Sequence, residues 1–220
     1  MEEAYHKLLR DLPYEERSLE KLDNFFNTYA NEENKKELQF RRDSWKALIL
    51  SKMERYEESL RYYISIYDLK DKSDVSFFNT VYGLTFAYHK LGRKNEAIQT
   101  AISFLDSDYS TWQFFKLIML DLYVDILDGE EVPEKYAQMV EVIKGFIGVK
   151  TDGYDTLNSQ IRDVCQKNKT ANIRYSKLLI ELDDSNLRKE AKIEKLKTYI
   201  AQEEVLFYKE MAEASLNNID

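Results

Sequence analysis

Residues Ala47-Leu48-Ile49-Leu50-Ser51-Lys52-Met53-Glu54-Arg55-Tyr56-Glu57-Glu58-Ser59-Leu60 read as the end of one helix, a short turn and the start of the next. Further on, Ala87-Tyr88-His89-Lys90-Leu91-Gly92-Arg93-Lys94-Asn95-Glu96-Ala97-Ile98 follows the same plan. In both, an apolar residue closes the first helix, and the second opens with an acidic residue before a small one. Aligned on Ser59 and Ala97, Leu50 falls on Tyr88, Met53 on Leu91 and Tyr56 on Lys94, an offset of 38 residues. A small residue at that place lets two helix backbones cross closely. The stretch predicts helix pairs joined by short turns and related by an internal repeat.

The rest of the chain fits an all-α class. Its 220 residues include only 6 Gly and 2 Pro, against usual shares of roughly 7% and 5%. Sandwiches, barrels and Gly-rich nucleotide-binding folds need more of both. Neither residue occurs in 15–53 or 186–217, and Leu19, Leu22, Phe25, Phe26 and Tyr29 recur at helical spacing. Helices are expected near 2–11, 13–31, 34–53, 55–69, 75–91, 93–106, 110–128, 133–148, 155–168, 171–183 and 186–216, the last a long cap. Pro13 and Pro133 suit first helical turns, and Asp74, Asp108 and Asp184 with Ser185 suit N-caps. Gly145, Gly148 and Gly153 mark the most loop-like stretch. They suggest a division into 1–150, with the best repeats at about 43–105, and 151–220, packed on the same solenoid.

The turn-centred pattern, small-x-x-Tyr-x-x-Leu-Gly-x-Tyr-x-x-Ala, resembles the core of the tetratricopeptide repeat. Tyr88, Leu91, Gly92 and Ala97 match it in the second copy; Ala47, Leu50, Met53, Tyr56 and Ser59 do so in the first, where Glu54 replaces the glycine. Ser73-Asp74-Val75-Ser76 and Ser107-Asp108-Tyr109-Ser110 echo each other at 34 residues, the length of that repeat. A third copy diverges at 128–133, keeping Ala137, and a fourth weak one runs through Tyr175, Leu178, Leu182 and Ala191. The resemblance implies a right-handed solenoid of antiparallel pairs with a concave groove lined by the first helix of each. It also implies a non-catalytic protein- or peptide-binding module. On that mapping Ala47, Leu50 and Tyr88 pack, while Asn79, Tyr82, Thr85 and His89 face the groove, joined by Asp121 and Asp125 in the third copy.

Catalytic patterns are sparse. Glu3 and His6 have the spacing of a di-iron carboxylate ligand pair but lack a second copy. His89 has no Glu three residues earlier, and no P-loop, His-Glu-x-x-His or Gly-x-Ser-x-Gly motif occurs. Cys165, the single cysteine, excludes an internal disulfide and a multi-Cys zinc site, and reads as a core thiol. The chain is therefore expected to be no enzyme and to carry no cofactor or metal. No run reaches the roughly 20 apolar residues of a bilayer span. The first residues do not read as a signal peptide, so no membrane association and a cytoplasmic setting are expected.

Charge gives the remaining clue. Of the net −8, residues 106–148 carry −6, with nine acids against three lysines. This is either a solvated face or an acidic surface for a basic protein or peptide. The second case admits an immunity-protein- or antitoxin-like inhibitor of a basic enzyme. The cations Arg162, Lys167, Arg174 and Lys195 lie in a stretch interleaved with Glu190 and Glu194, which reads as a salt-laced helix and not as a nucleic-acid surface. A helical hydrolase with metal on Asp121, Asp125 and Glu130 is the third, less favoured alternative. Nothing in the sequence opposes a homodimer, and the Tyr- and Lys-rich, Gly-poor usage suits a bacterial or phage genome.

Overall fold

In the computed structural model, the structure describes residues 2–10, 12–69, 76–107, 113–150, 153–183 and 187–219. Among them are eleven α-helices and no strand. The expected caps Asp74, Asp108, Asp184 and Ser185, and most of the 34-residue echo, lie outside the described residues. No helix among the described residues is long and apolar enough to cross a membrane. The chain forms two compact units, 1–110 and 111–220. The division falls 40 residues before the one expected at 150. At the expected boundary Gly148 ends a helix as a left-handed C-cap, and Val149 after it is buried.

The first unit holds α1 (Glu2–Arg10), α2 (Glu16–Tyr29), α3 (Lys35–Lys52), α4 (Tyr56–Leu69), α5 (Ser76–Lys90) and α6 (Lys94–Leu105). From α2 on, each helix packs on the next, and α3 also touches α5. The centre of this core is Ala47, Leu60, Tyr63, Ile66, Leu84 and Ala87, with Tyr62, Tyr67, Tyr88 and Leu91 against it. Pro13 lies ahead of α2, whose first residue is Glu16, and its carbonyl accepts from the buried Ser18 hydroxyl at 2.6 Å.

The 38-residue offset is visible atom by atom. The ends of α3 and α5, Lys52 and Lys90, are 38 apart, as are the starts of α4 and α6, Tyr56 and Lys94. Arg55 N donates to Leu50 O at 2.9 Å, and Arg93 N to Tyr88 O at 2.9 Å; Glu54 N reaches Ser51 O at 3.1 Å, and Gly92 N reaches His89 O at 3.0 Å. This pair of bonds closes a helix when the residue after the last turn is left-handed. Gly92 has φ 72° and Glu54 has φ 61°, so the glutamate adopts the glycine conformation. Arg55–Glu58 and Arg93–Glu96 then repeat the same ion pair three residues apart. Ala47 and Ala97 are fully buried, and the Ser59 hydroxyl donates to Ala47 O at 2.8 Å across the crossing. The small residues thus sit where two helices come closest.

The second unit holds α7 (Gln113–Leu127), a single 3₁₀ turn (Glu134–Tyr136), α8 (Ala137–Ile147), α9 (Leu157–Leu182), α10 (Lys189–Gln202) and α11 (Leu206–Asn217). Two sequence expectations fail here. Residues 155–168 and 171–183 form not two helices but one, α9. Its middle is held from inside, with Ala171 fully buried and Asn168 accepting from the Tyr208 hydroxyl at 3.2 Å. The long final helix is interrupted at Glu203–Val205, where Glu203 and Val205 are extended. The break carries no Gly or Pro; there the Glu203 carboxylate accepts from Val205 N, two residues on, at 3.0 Å, a local side-chain bond that competes with helix. In this unit α9 is the hub, touching α7, α8, α10 and α11.

Candidate functional site

The most developed concavity of the first unit is a groove of about 590 Å³, within the size range of ligand sites. Its walls come from α1 (Tyr5), α3 and α5, and its floor from Tyr63 and Ile66 of α4. The repeat offset governs the walls. Arg41, Ser44, Trp45 and Leu48 of α3 line it, and so do their counterparts 38 residues on, Asn79, Tyr82, Gly83 and Phe86 of α5. A helix turn of 3.6 residues places such positions on one face. Two neighbouring repeats therefore present the same face to one space.

Gly83 is set by contact. A methyl there would meet the Tyr63 ring at 2.2 Å, so the ring of α4 lies directly on the α5 backbone. Burial and a Ser59 hydrogen bond act oppositely on the Tyr63 phenol; burial dominates and pushes its pKa up to about 12. The rest of the wall is aromatic: Tyr82 and Phe86 lie nearly parallel at 6.3 Å, and Tyr56 meets Phe86 edge-on at 6.1 Å. The charged groups in the lining are Arg41 and Lys52, with no carboxylate. Arg41 is bound to Glu2 at 2.9 Å and Glu37 at 2.6 Å, and covers the Tyr5 ring at 5.3 Å.

The sequence-named positions separate. Asn79, exposed, and Tyr82, half-buried, line the groove. Thr85 does not: it is 0% exposed and its hydroxyl donates to Val81 O at 2.8 Å within α5. Its repeat counterpart is Ala47, a packing position. His89 is half-buried and outside the lining, although its counterpart Ser51 is in it. Asp121 and Asp125 belong to the second unit, where both grip Arg162 of α9, Asp121 at 2.8 Å. The groove residues that sequence reading missed were within reach of its own offset: Asn79 and Tyr82, moved back by 38, give Arg41 and Ser44.

The acidic residues of the 106–148 stretch that fall in the second unit are partly neutralised there. Besides the Arg162 pair, Glu141 binds Lys144 at 2.6 Å and Gln160, which together hold its carboxyl below the usual range against the effect of burial. In the basic stretch Lys167 pairs with Asp163 within α9, while Arg174 of α9 pairs with Glu203 at the α10–α11 break and Lys195 of α10 with Glu181 of α9, none of them through the interleaved Glu190 or Glu194. Cys165 is buried, and burial with Asp121 nearby pushes its thiol up to about 12, so little thiolate forms at neutral pH. Among the described residues, no group of three or more His, Cys, Asp or Glu side chains converges as metal ligands would. The second unit also has a hollow of about 720 Å³ bordered by Lys150, Lys167, Arg174, Lys209 and the Glu203–Val205 break.

In comparisons with known proteins, no family model, no curated protein and no solved structure matches the chain.

Proposed function

We propose that α3–α6 are a pair of tetratricopeptide-like repeats, the start of a right-handed solenoid, and that the chain is a non-catalytic protein- or peptide-binding module. The partner segment lies in the groove between α1, α3 and α5. The observation that carries this reading is the repeat symmetry of the groove wall: the same helix positions of two successive units face one aromatic-lined space. Stacked repeats build extended binding surfaces in this way, and large planar side chains give contact area at small entropic cost.

The test is a comparative affinity capture from the source cell, with the whole chain and a Tyr82→Ala/Phe86→Ala variant as baits. Captured proteins are quantified by mass spectrometry, and the two baits are matched for helicity and melting temperature. At least one protein captured by the parent should fall tenfold or more with the variant. An unchanged profile from a folded variant would show that the groove is not the binding surface.

A further inference from the structure

The groove has a second regularity, at its far end. Lys52 closes α3 and Lys90 closes α5, and the two are 38 residues apart. Both are exposed, and among the described residues neither is in an ion pair. Lys52 is part of the groove lining, and the Lys90 ammonium lies 5.3 Å from the ring centre of Phe86, which is also in the lining. The cations nearby behave differently. Arg41 is saturated by Glu2 and Glu37, Lys46 is bound to Asp23 at 2.5 Å, and Arg42 to Asp43 at 2.7 Å. Arg55 and Arg93, just beyond the two lysines, hold Glu58 and Glu96. Five neighbouring cations have carboxylates, whereas Lys52 in the lining and Lys90 beside Phe86 are in no ion pair among the described residues.

Helix C-termini hold cations comfortably, which accounts for lysine at both places. It does not account for a groove wall without a single carboxylate in a chain of net charge −8. From this charge pattern we infer that the groove's partner is an acidic peptide segment. Its bulky apolar side chains lie on Trp45, Tyr82 and Phe86, and its Asp or Glu side chains meet Lys52 and Lys90. The inference rests on the groove reading above and names its partner's chemistry, opposite in sign to the basic partner that the 106–148 acids suggested. Charge complementarity of this kind sets specificity and association rate more than total affinity.

A random peptide display library, selected on the whole chain, on Lys52→Glu/Lys90→Glu and on Tyr82→Ala/Phe86→Ala, tests this. Both lysines are exposed, so their replacement leaves the core intact. The parent should enrich sequences that combine Asp or Glu with Leu, Phe, Trp or Tyr. Synthetic representatives should lose at least tenfold in affinity with the lysine variant, and lose their effect on Trp45 fluorescence with the aromatic variant. Enrichment of basic or neutral peptides that still need Tyr82 and Phe86 would overturn the charge inference and leave the groove reading standing. Peptides indifferent to Tyr82 and Phe86, or no enrichment at all, would overturn both.

Discussion

The two units spend the same residue types in different ways. In the first, helices meet their neighbours through small residues: Ala47, Ser59, Ala87 and Ala97 are all fully buried, and backbones come close. In the second, the 26-residue α9 is a hub reached through long polar side chains. Arg162 reaches Asp121 across 41 residues, Arg174 reaches Glu203 across 29 and Tyr208 reaches Asn168 across 40. Close crossings fix position by shape, and a mismatch is felt as overlap. Charge-assisted bonds fix it by pairing, and a mismatch is felt as an orphaned charge. The two units should therefore fail differently.

The largest effect is expected in the second unit, at Arg174. Its guanidinium makes two bonds to Glu203, at 3.0 and 2.7 Å, and the Glu203 side chain is 0% exposed. Burial on its own would raise the Glu203 carboxyl, but Arg174, the Val205 N–H and Tyr199 outweigh it and hold the pKa below the usual carboxylate value. Arg174→Met leaves that carboxylate buried without its cation and should cost about 3 kcal/mol at pH 7. The sign of the pH dependence follows. A lowered folded pKa gives stability that is complete above the ordinary glutamate value and lost as the pH falls through the lowered one. The variant keeps the burial and the Val205 N–H but loses the cation that opposes burial, so its carboxyl takes up a proton at higher pH than the parent's, and acid relieves it. Urea unfolding at pH 7 and pH 4 should show the gap between parent and variant narrowing in acid. A gap constant with pH would mean that the pair is not what ties α9 to the α10–α11 break.

Gly83 is the corresponding point in the first unit, and the expected loss is smaller. A methyl at 2.2 Å from the Tyr63 ring cannot be accommodated without moving that buried side chain. Gly83→Ala should cost about 2 kcal/mol, with faster hydrogen exchange over α4 and α5 and no pH dependence. Tyr63→Leu in the same chain should recover part of the loss, since overlap between two neighbours is not additive. Equal stability of parent and Gly83→Ala would break the contrast, because the first unit would then tolerate added volume where the Tyr63 ring lies on the α5 backbone.

The same contrast explains what the sequence disclosed. The helix ends at Lys52 and Lys90 and the turns after them were legible because their determinants are local: an apolar last turn, a left-handed residue and a small residue five positions later. The groove was half legible. Asn79 and Tyr82 lie on it, but Thr85 was assigned to the same face although its position, shared with Ala47, turns into the crossing. In the second unit, helix content was visible and helix ends were not. The break at Glu203–Val205 depends on Arg174, 29 residues away, and no breaker residue announces it. The continuity of α9 through Lys169 and Thr170 depends on Tyr208 and the burial of Ala171. Asp121 and Asp125 looked available for a partner because Arg162, which takes them up, lies about 40 residues along the chain.

The smallest effects make the sharpest test of the repeat itself. Glu54 and Gly92 share a place and a backbone conformation, φ 61° and 72°, but only one of them suits it. A left-handed conformation costs a side-chain-bearing residue roughly 1–2 kcal/mol, whereas glycine's extra freedom in the unfolded chain costs it about 0.5–1 kcal/mol relative to alanine. The balance favours glycine. Glu54→Gly should raise stability by about 0.5 kcal/mol, even though Glu54 is exposed and contributes to no core. Gly92→Ala should lower it by about 1 kcal/mol; a methyl there would have no neighbour within 4 Å, so the loss is purely one of backbone conformation. Urea midpoints shifted in opposite directions at constant m-value are the expected result. Equal signs would mean that the two turns are not equivalent, and the 38-residue repeat would reduce to a resemblance of sequence.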